Sequence, residues 1–170
     1  MWQDVRELVA PPEWHAFKNR VASTYAWAVP TEEAVAAVAR HAPRVVEVGA
    51  GSGYWAWMLS QAGVDVVAFD ASPPGWTWHP VAVGTELAVM SYPERALFLC
   101  WPPWNTAMAA NALACHRGEV VVYVGEWNGG SAEPAFFARL ADAYDVVEAV
   151  ALPQWASRAD LLTVHRLREG

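Results

Sequence analysis

The chain has 170 residues, 55% of them apolar and 17% charged, a composition suited to one compact domain with a substantial core. Eleven basic residues against 18 acidic ones give a formal net charge of -7. That balance, with no Lys/Arg cluster, argues against nucleic acid or an anionic membrane as a partner. Cys100 and Cys115 stand in no metal-ligand spacing, so no metal is expected and a reduced, cytoplasmic chain is the natural reading. Asp4, Arg6 and Glu7 interrupt any signal-peptide core, and no apolar run approaches the roughly 20 residues of a membrane span.

Trp2, Val5, Leu8 and Val9 recur at helical spacing, Pro11 and Pro12 interrupt, and residues 13–24 form a second helix. Thr31 is an N-cap before Glu32 and Glu33, whose charges suit a first turn, and that helix stops before Pro43. From there strands and helices alternate. Strands are expected at 44–48, 65–69, 81–83, 96–101 and 119–124, with helices at 54–62, 108–116 and 134–143. Two last strands, 146–151 and 161–167, have no helix between them and should pair antiparallel. The expectation is a single α/β domain: a helical cover over residues 1–43, then a seven-stranded, mostly parallel sheet with an antiparallel last strand and helices on both faces.

The first strand runs into Glu47-Val48-Gly49-Ala50-Gly51-Ser52-Gly53. Glycines at 49, 51 and 53 let the backbone turn sharply and approach a ligand, and Asp70, after the second strand, is spaced to meet ribose hydroxyls. A dinucleotide fingerprint would place its third glycine one residue later, at Tyr54. The loop resembles that of Rossmann-like S-adenosylmethionine-dependent methyltransferases, and further stretches (25–30, 100–103 and 122–130) resemble a little-characterised methyltransferase-like group. The resemblance implies S-adenosylmethionine as cofactor, held by Glu47, Gly49, Gly51, Gly53 and Asp70. It also implies an adenine contact from Thr85 or Glu86, just after the third strand.

In that arrangement the crevice opens between the first and fourth strands. The fourth ends in Trp101-Pro102-Pro103-Trp104, which resembles the Asp/Asn/Ser-Pro-Pro-aromatic motif of amino-methylating enzymes. Trp101 stands where that motif carries its polar acceptor, which argues against an adenine or amide amine as substrate. Eleven tryptophans suit an aromatic enclosure for a sulfonium or a flat apolar substrate. Trp101 is assigned to the cofactor, and Trp27, Pro102, Trp104 and Trp127 to the substrate. Trp2, Trp14, Trp55 and Trp57 are read as core. Glu126, His79 and Tyr25 are the candidates for removing a proton from the acceptor.

The reading that follows is methyl transfer to a small, apolar or aromatic metabolite, with room for a homodimer. A non-catalytic methyltransferase-like subunit is the alternative from another class. Cleavage or cyclisation of S-adenosylmethionine is a third.

Overall fold

The computed structural model describes residues 12–155 and 158–169, with side chains from residue 16 onward; the helix expected around Trp2 to Val9 and the side chain of Trp14 lie outside these. The elements are α1 (Pro12–Thr24), α2 (Glu32–His41), β1 (Arg44–Val48), α3 (Tyr54–Gln61), β2 (Asp65–Asp70), β3 (Val81–Val83), a 3-10 helix (Glu86–Ser91), β4 (Ala96–Cys100), α4 (Met108–Cys115), β5 (Val120–Glu126), α5 (Pro134–Ala143), β6 (Tyr144–Ala151) and β7 (Asp160–Leu167).

The seven strands form one sheet in the order β3-β2-β1-β4-β5-β7-β6. β1 pairs parallel with β2 on one side and β4 on the other, so strand order reverses between β1 and β4. β7 lies antiparallel between β5 and β6. Alternation along each strand feeds two cores. Val45, Phe98, Val122 and Val164 face Trp55, Leu59, Val35 and Val38 of α2 and α3, while Val46, Val48, Leu97, Leu99 and Tyr123 face α4 and α5. Central strands buried on both faces read as near-continuous apolar runs, and Glu47 is the exception within β1.

Local chemistry sets the boundaries. Thr31 Oγ1 accepts from the Ala34 amide at 3.1 Å, with Glu32 and Glu33 in the first turn of α2 and Arg40 and His41 in its last. β5 continues two residues past the expected end, because β7 pairs with Gly125 and Glu126. Gly125 has φ +152°, and a Cβ there would lie 2.5 Å from Ser131 Oγ, so only glycine carries the strand through. The 3-10 helix begins at Thr85-Glu86, where a helix start is the alternative to an adenine contact; its six residues are too few for periodicity to declare its extent. Among the described residues no helix is long and apolar enough to cross a membrane, and no group of three His, Cys, Asp or Glu side chains is placed to hold a metal.

Candidate functional site

At the carboxyl ends of β1, β2 and β4, where strand order reverses, lies a cavity of about 510 Å³. Its floor is the loop after β1. Gly51 has φ +54° and no atom within 4 Å of where a Cβ would stand, so it opens directly onto the cavity. Gly53 (φ +73°) has the opposite reason for being glycine: a Cβ would meet Val81 Cγ2 at 2.8 Å and the His79 carbonyl at 3.1 Å. The loop is tied to the end of β2 by the Gly51 amide donating to Asp70 Oδ2 at 2.9 Å and the Ala50 amide donating to the Phe69 carbonyl at 3.0 Å. Asp70 Oδ1 accepts from the Ser72 amide at 2.8 Å. One carboxylate thus fixes both loops that border the cavity.

Glu47 lines the same cavity, yet it is 1% exposed and its Oε2 has no partner. Burial first, and the nearby Asp70 charge second, push its carboxyl up to about 8, against a pull downward from the Ala56 amide in the first turn of α3. Glu47 therefore carries a proton at neutral pH. On neighbouring β4, Cys100 also lines the cavity, and burial, then Glu47, hold its thiol well above the usual range.

Trp101 forms the wall over β4 in a left-handed conformation, φ +49°, unusual for a bulky residue. Its indole N–H donates to Asp160 Oδ1 at 2.7 Å, and the Arg158 guanidinium lies 5.1 Å from its ring. Trp27 faces it with ring centroids 6.2 Å apart and a tilt of 34°. Asp160 is buried with Oδ2 unpartnered. Burial raises its carboxyl and the Trp101 N–H offsets part of that rise.

The roof is the segment between α1 and α2, and side-chain donors pin it carbonyl by carbonyl. Trp78 Nε1 donates to the Thr24 carbonyl (2.8 Å), Ser52 Oγ to Tyr25 (2.6 Å), Trp155 Nε1 to Trp27 (2.9 Å) and Trp55 Nε1 to Ala28 (3.0 Å). Of the three indoles only that of Trp55 is bonded in a buried place, where its N–H needs an acceptor, and an irregular segment has carbonyls to offer. Sequence reasoning treats Trp55 as core and the loop tryptophans as ligand-facing aromatics; it misses this role, since the acceptors lie far away in the chain. Tyr25, on the roof, stacks on Trp78 with ring centroids 5.4 Å apart.

Of the candidates from sequence, the fold brings Tyr25, Trp27, Glu47, Gly49, Gly51 and Asp70 to the cavity lining, together with Thr85, Glu86, Trp101 and Pro102. Thr85 caps the 3-10 helix, its Oγ1 accepting from the Leu87 amide at 3.4 Å, and Glu86 accepts from Asn111 Nδ2 at 3.1 Å. Gly53, His79, Trp104, Glu126 and Trp127 are not in the lining. Glu126 accepts from Arg158 at 2.9 Å and from the Gly130 and Ala159 amides at 3.0 and 3.1 Å. Burial pushes its carboxyl up, but those donors outweigh it and hold it below the usual range. The His79 ring is engaged at its own loop, Nδ1 lying 3.0 Å from the Pro80 carbonyl. Trp127 stacks on His165 at 5.6 Å and meets Phe137 at 4.9 Å, against the α5 side of the sheet. Trp104 is 65% exposed. The cavity thus holds the expected loop and aromatic wall, while two of the expected bases are engaged elsewhere, Glu126 by partners distant in the chain and His79 within its own loop.

No protein-family model matches the chain, and no curated protein matches it in sequence. Solved structures do resemble it. The 1,6-didemethyltoxoflavin-N1-methyltransferase of Burkholderia thailandensis, solved with 1,6-didemethyltoxoflavin and S-adenosylhomocysteine, is 18% identical, with 95% of this chain and 92% of that one covered at a TM-score of 0.59. An O-methyltransferase of Bacillus cereus in complex with S-adenosylhomocysteine is 19% identical, covering 95% and 94% at 0.56. A candidate tRNA (m1A22) methyltransferase of Streptococcus pneumoniae is 12% identical, covering 82% and 71% at 0.56. The chain therefore has the Rossmann-like fold of S-adenosylmethionine-dependent methyltransferases.

Proposed function

We propose that the chain binds S-adenosylmethionine in the cavity at the β1/β4 switch and transfers a methyl group to a small, apolar or aromatic metabolite. The observation that carries this reading is the pairing of an open glycine loop with a buried, unpartnered acid. Gly51 leaves the cavity floor bare, and Glu47, which lines the same cavity, has a buried Oε2 whose hydrogen-bonding capacity is unmet. A buried polar atom without a partner is costly, and a ligand bearing a cationic or N–H group relieves that cost. The volume of about 510 Å³ falls in the range of small-molecule sites. Support also comes from the Burkholderia and Bacillus enzymes, which match over nearly their whole length and were solved with S-adenosylhomocysteine.

S-adenosylmethionine supplies an electrophilic methyl group on a sulfonium. The chain's own residues orient and shield. Gly49, Gly51 and Asp70 are assigned to the ribose and amino-acid portions, Glu47 to the ammonium, and Thr85 or Glu86 to adenine. Trp27 is assigned to the acceptor, where it would stack a flat ring, and Trp101 beside it to the cofactor; together they exclude water. Displacement at carbon depends mainly on alignment. Glu47 is committed to the cofactor's ammonium and Asp70 is engaged by two amides, so neither is free to take a proton and the acceptor is one that arrives nucleophilic: a phenolate, a thiolate or a neutral amine. Tyr25 is the one expected proton acceptor that lines the cavity.

Incubation with S-adenosylmethionine and a panel of aromatic phenols, thiols and amines tests this: S-adenosylhomocysteine should form only when an acceptor is present. S-adenosylhomocysteine formed without any added acceptor would mean methyl transfer to water or to the protein itself, whereas loss of S-adenosylmethionine without S-adenosylhomocysteine would indicate cleavage instead. The engagement of Glu126 by Arg158 and two amides favours a second reading, a ligand-binding subunit without turnover, for which saturable binding and no product are expected.

A further inference from the structure

A second cavity, about 400 Å³, lies at the opposite end of the sheet, where β1, β4 and β5 begin and β7 ends. On a chain with 11 basic residues and a net charge of -7, four arginines meet at this one place, Arg44, Arg95, Arg117 and Arg166, against two glutamates in the same lining, Glu94 and Glu119. We propose that it is an anion site for a phosphate-bearing small molecule, distinct from the cleft and independent of the methyltransferase reading.

The case rests on where the positive charge goes. Arg95 is spent on structure, donating to Asp65 Oδ2 and to the Asp65 carbonyl, both at 2.7 Å. Its buried Nε has no hydrogen-bond partner, with Glu94 Oε1 at 3.7 Å. Arg166 faces Glu119 at 3.6 Å, a loose pair with both side chains solvated. Among the described residues no carboxylate forms a salt bridge with Arg44 or Arg117. Arg117 donates only to the Ala114 and His116 carbonyls, at 2.9 and 3.1 Å. Two guanidiniums with no carboxylate at salt-bridge distance, Arg44 acting on Asp65 only through space, therefore border a concave site beside an unmet buried N–H. The end of α4 nearby is a carboxyl end, whose carbonyls favour cations and hold one nitrogen of Arg117; the remaining donors of that planar fork, and those of Arg44, are left for a ligand. Guanidiniums match the geometry of phosphate oxygens. The confined volume and the acidic surface elsewhere favour a small phosphate compound over a nucleic acid.

Calorimetric titration with pyrophosphate, at ionic strength matched with sodium chloride, tests the site in the wild type, in Arg44→Gln and in the double variant Arg44→Gln/Arg117→Gln. The expected result is saturable binding, weakened several-fold in the single variant and at least tenfold in the double. Competition by a sugar phosphate would assign the site to phosphorylated metabolites, and its failure to compete would assign it to the free anion. Absence of saturable binding to the folded wild type, or equal affinity in all three proteins, would overturn the proposal. The single variant, in which no side-chain hydrogen bond of the described residues is lost, guards against loss through misfolding of the double variant.

Discussion

Replacing Glu47 by glutamine should make stability at alkaline pH higher than in the wild type, although the substitution lies inside the candidate site. Glu47 is fully buried and its carboxyl is pushed from 4.5 to about 8. Between those values the unfolded chain has lost the proton while the folded chain retains it. Stability therefore falls as pH rises through that window. At 1.36 kcal/mol per unit the loss reaches about 5 kcal/mol above pH 8, and about 3 kcal/mol at pH 7. Glutamine does not titrate, keeps nearly the same shape and can still accept from the Ala56 amide. Urea unfolding of both proteins from pH 5.5 to 8.5 reads the difference directly. The stability gap between variant and wild type should move in the variant's favour by about 3 kcal/mol across that range. Parallel profiles would mean that Glu47 is ionised in the folded protein, and the reasoning from its burial would be refuted.

Further outcomes follow from the same structure. Trp55→Phe removes the N–H that satisfies the buried Ala28 carbonyl and should cost about 1–3 kcal/mol, measurable by urea unfolding; a change under about 0.5 kcal/mol would mean that water replaces the indole. Gly51→Val puts a side chain into the open cavity at φ +54°. It should abolish ligand binding while costing about 1–3 kcal/mol of stability, and retained affinity in a titration would contradict the placement of the ligand. His116 and His165 are lowered to about 4, chiefly by burial, so the unfolded chain takes up protons first. Stability should fall as pH drops from 6.5 towards 4, and a His165→Asn variant should show a shallower fall in acid unfolding.

The parts legible in the sequence are those whose cause is local. The glycine loop, Asp70 after β2, the Thr31 cap and the apolar runs of β1, β4 and β5 each declare themselves within a few residues. They define both the sheet and the cavity floor. What sequence reasoning misplaces depends on distant partners. Glu126 looks like a free base at a strand end, but Arg158 and the Ala159 amide come back from 32 and 33 residues later to occupy it. Trp127 looks like a cleft aromatic because it follows a strand, yet β7 and α5 draw it against His165 and Phe137. The indole donors of Trp55, Trp78 and Trp155 were invisible for the same reason: their acceptors lie between 27 and 128 positions away. Trp101, read as replacing a polar acceptor, keeps a polar connection through Asp160 of β7, which only the sheet order could reveal.

The central claim is that the cavity over Gly51 and Asp70 takes S-adenosylmethionine. Calorimetric titration of the purified protein with S-adenosylmethionine and S-adenosylhomocysteine, beside an Asp70→Ala variant, tests it most directly. Asp70 holds the loop through the Gly51 and Ser72 amides, so binding to the wild type should be saturable with one site per chain and at least tenfold weaker in the variant. Failure of both ligands to bind well-folded wild type would contradict the account.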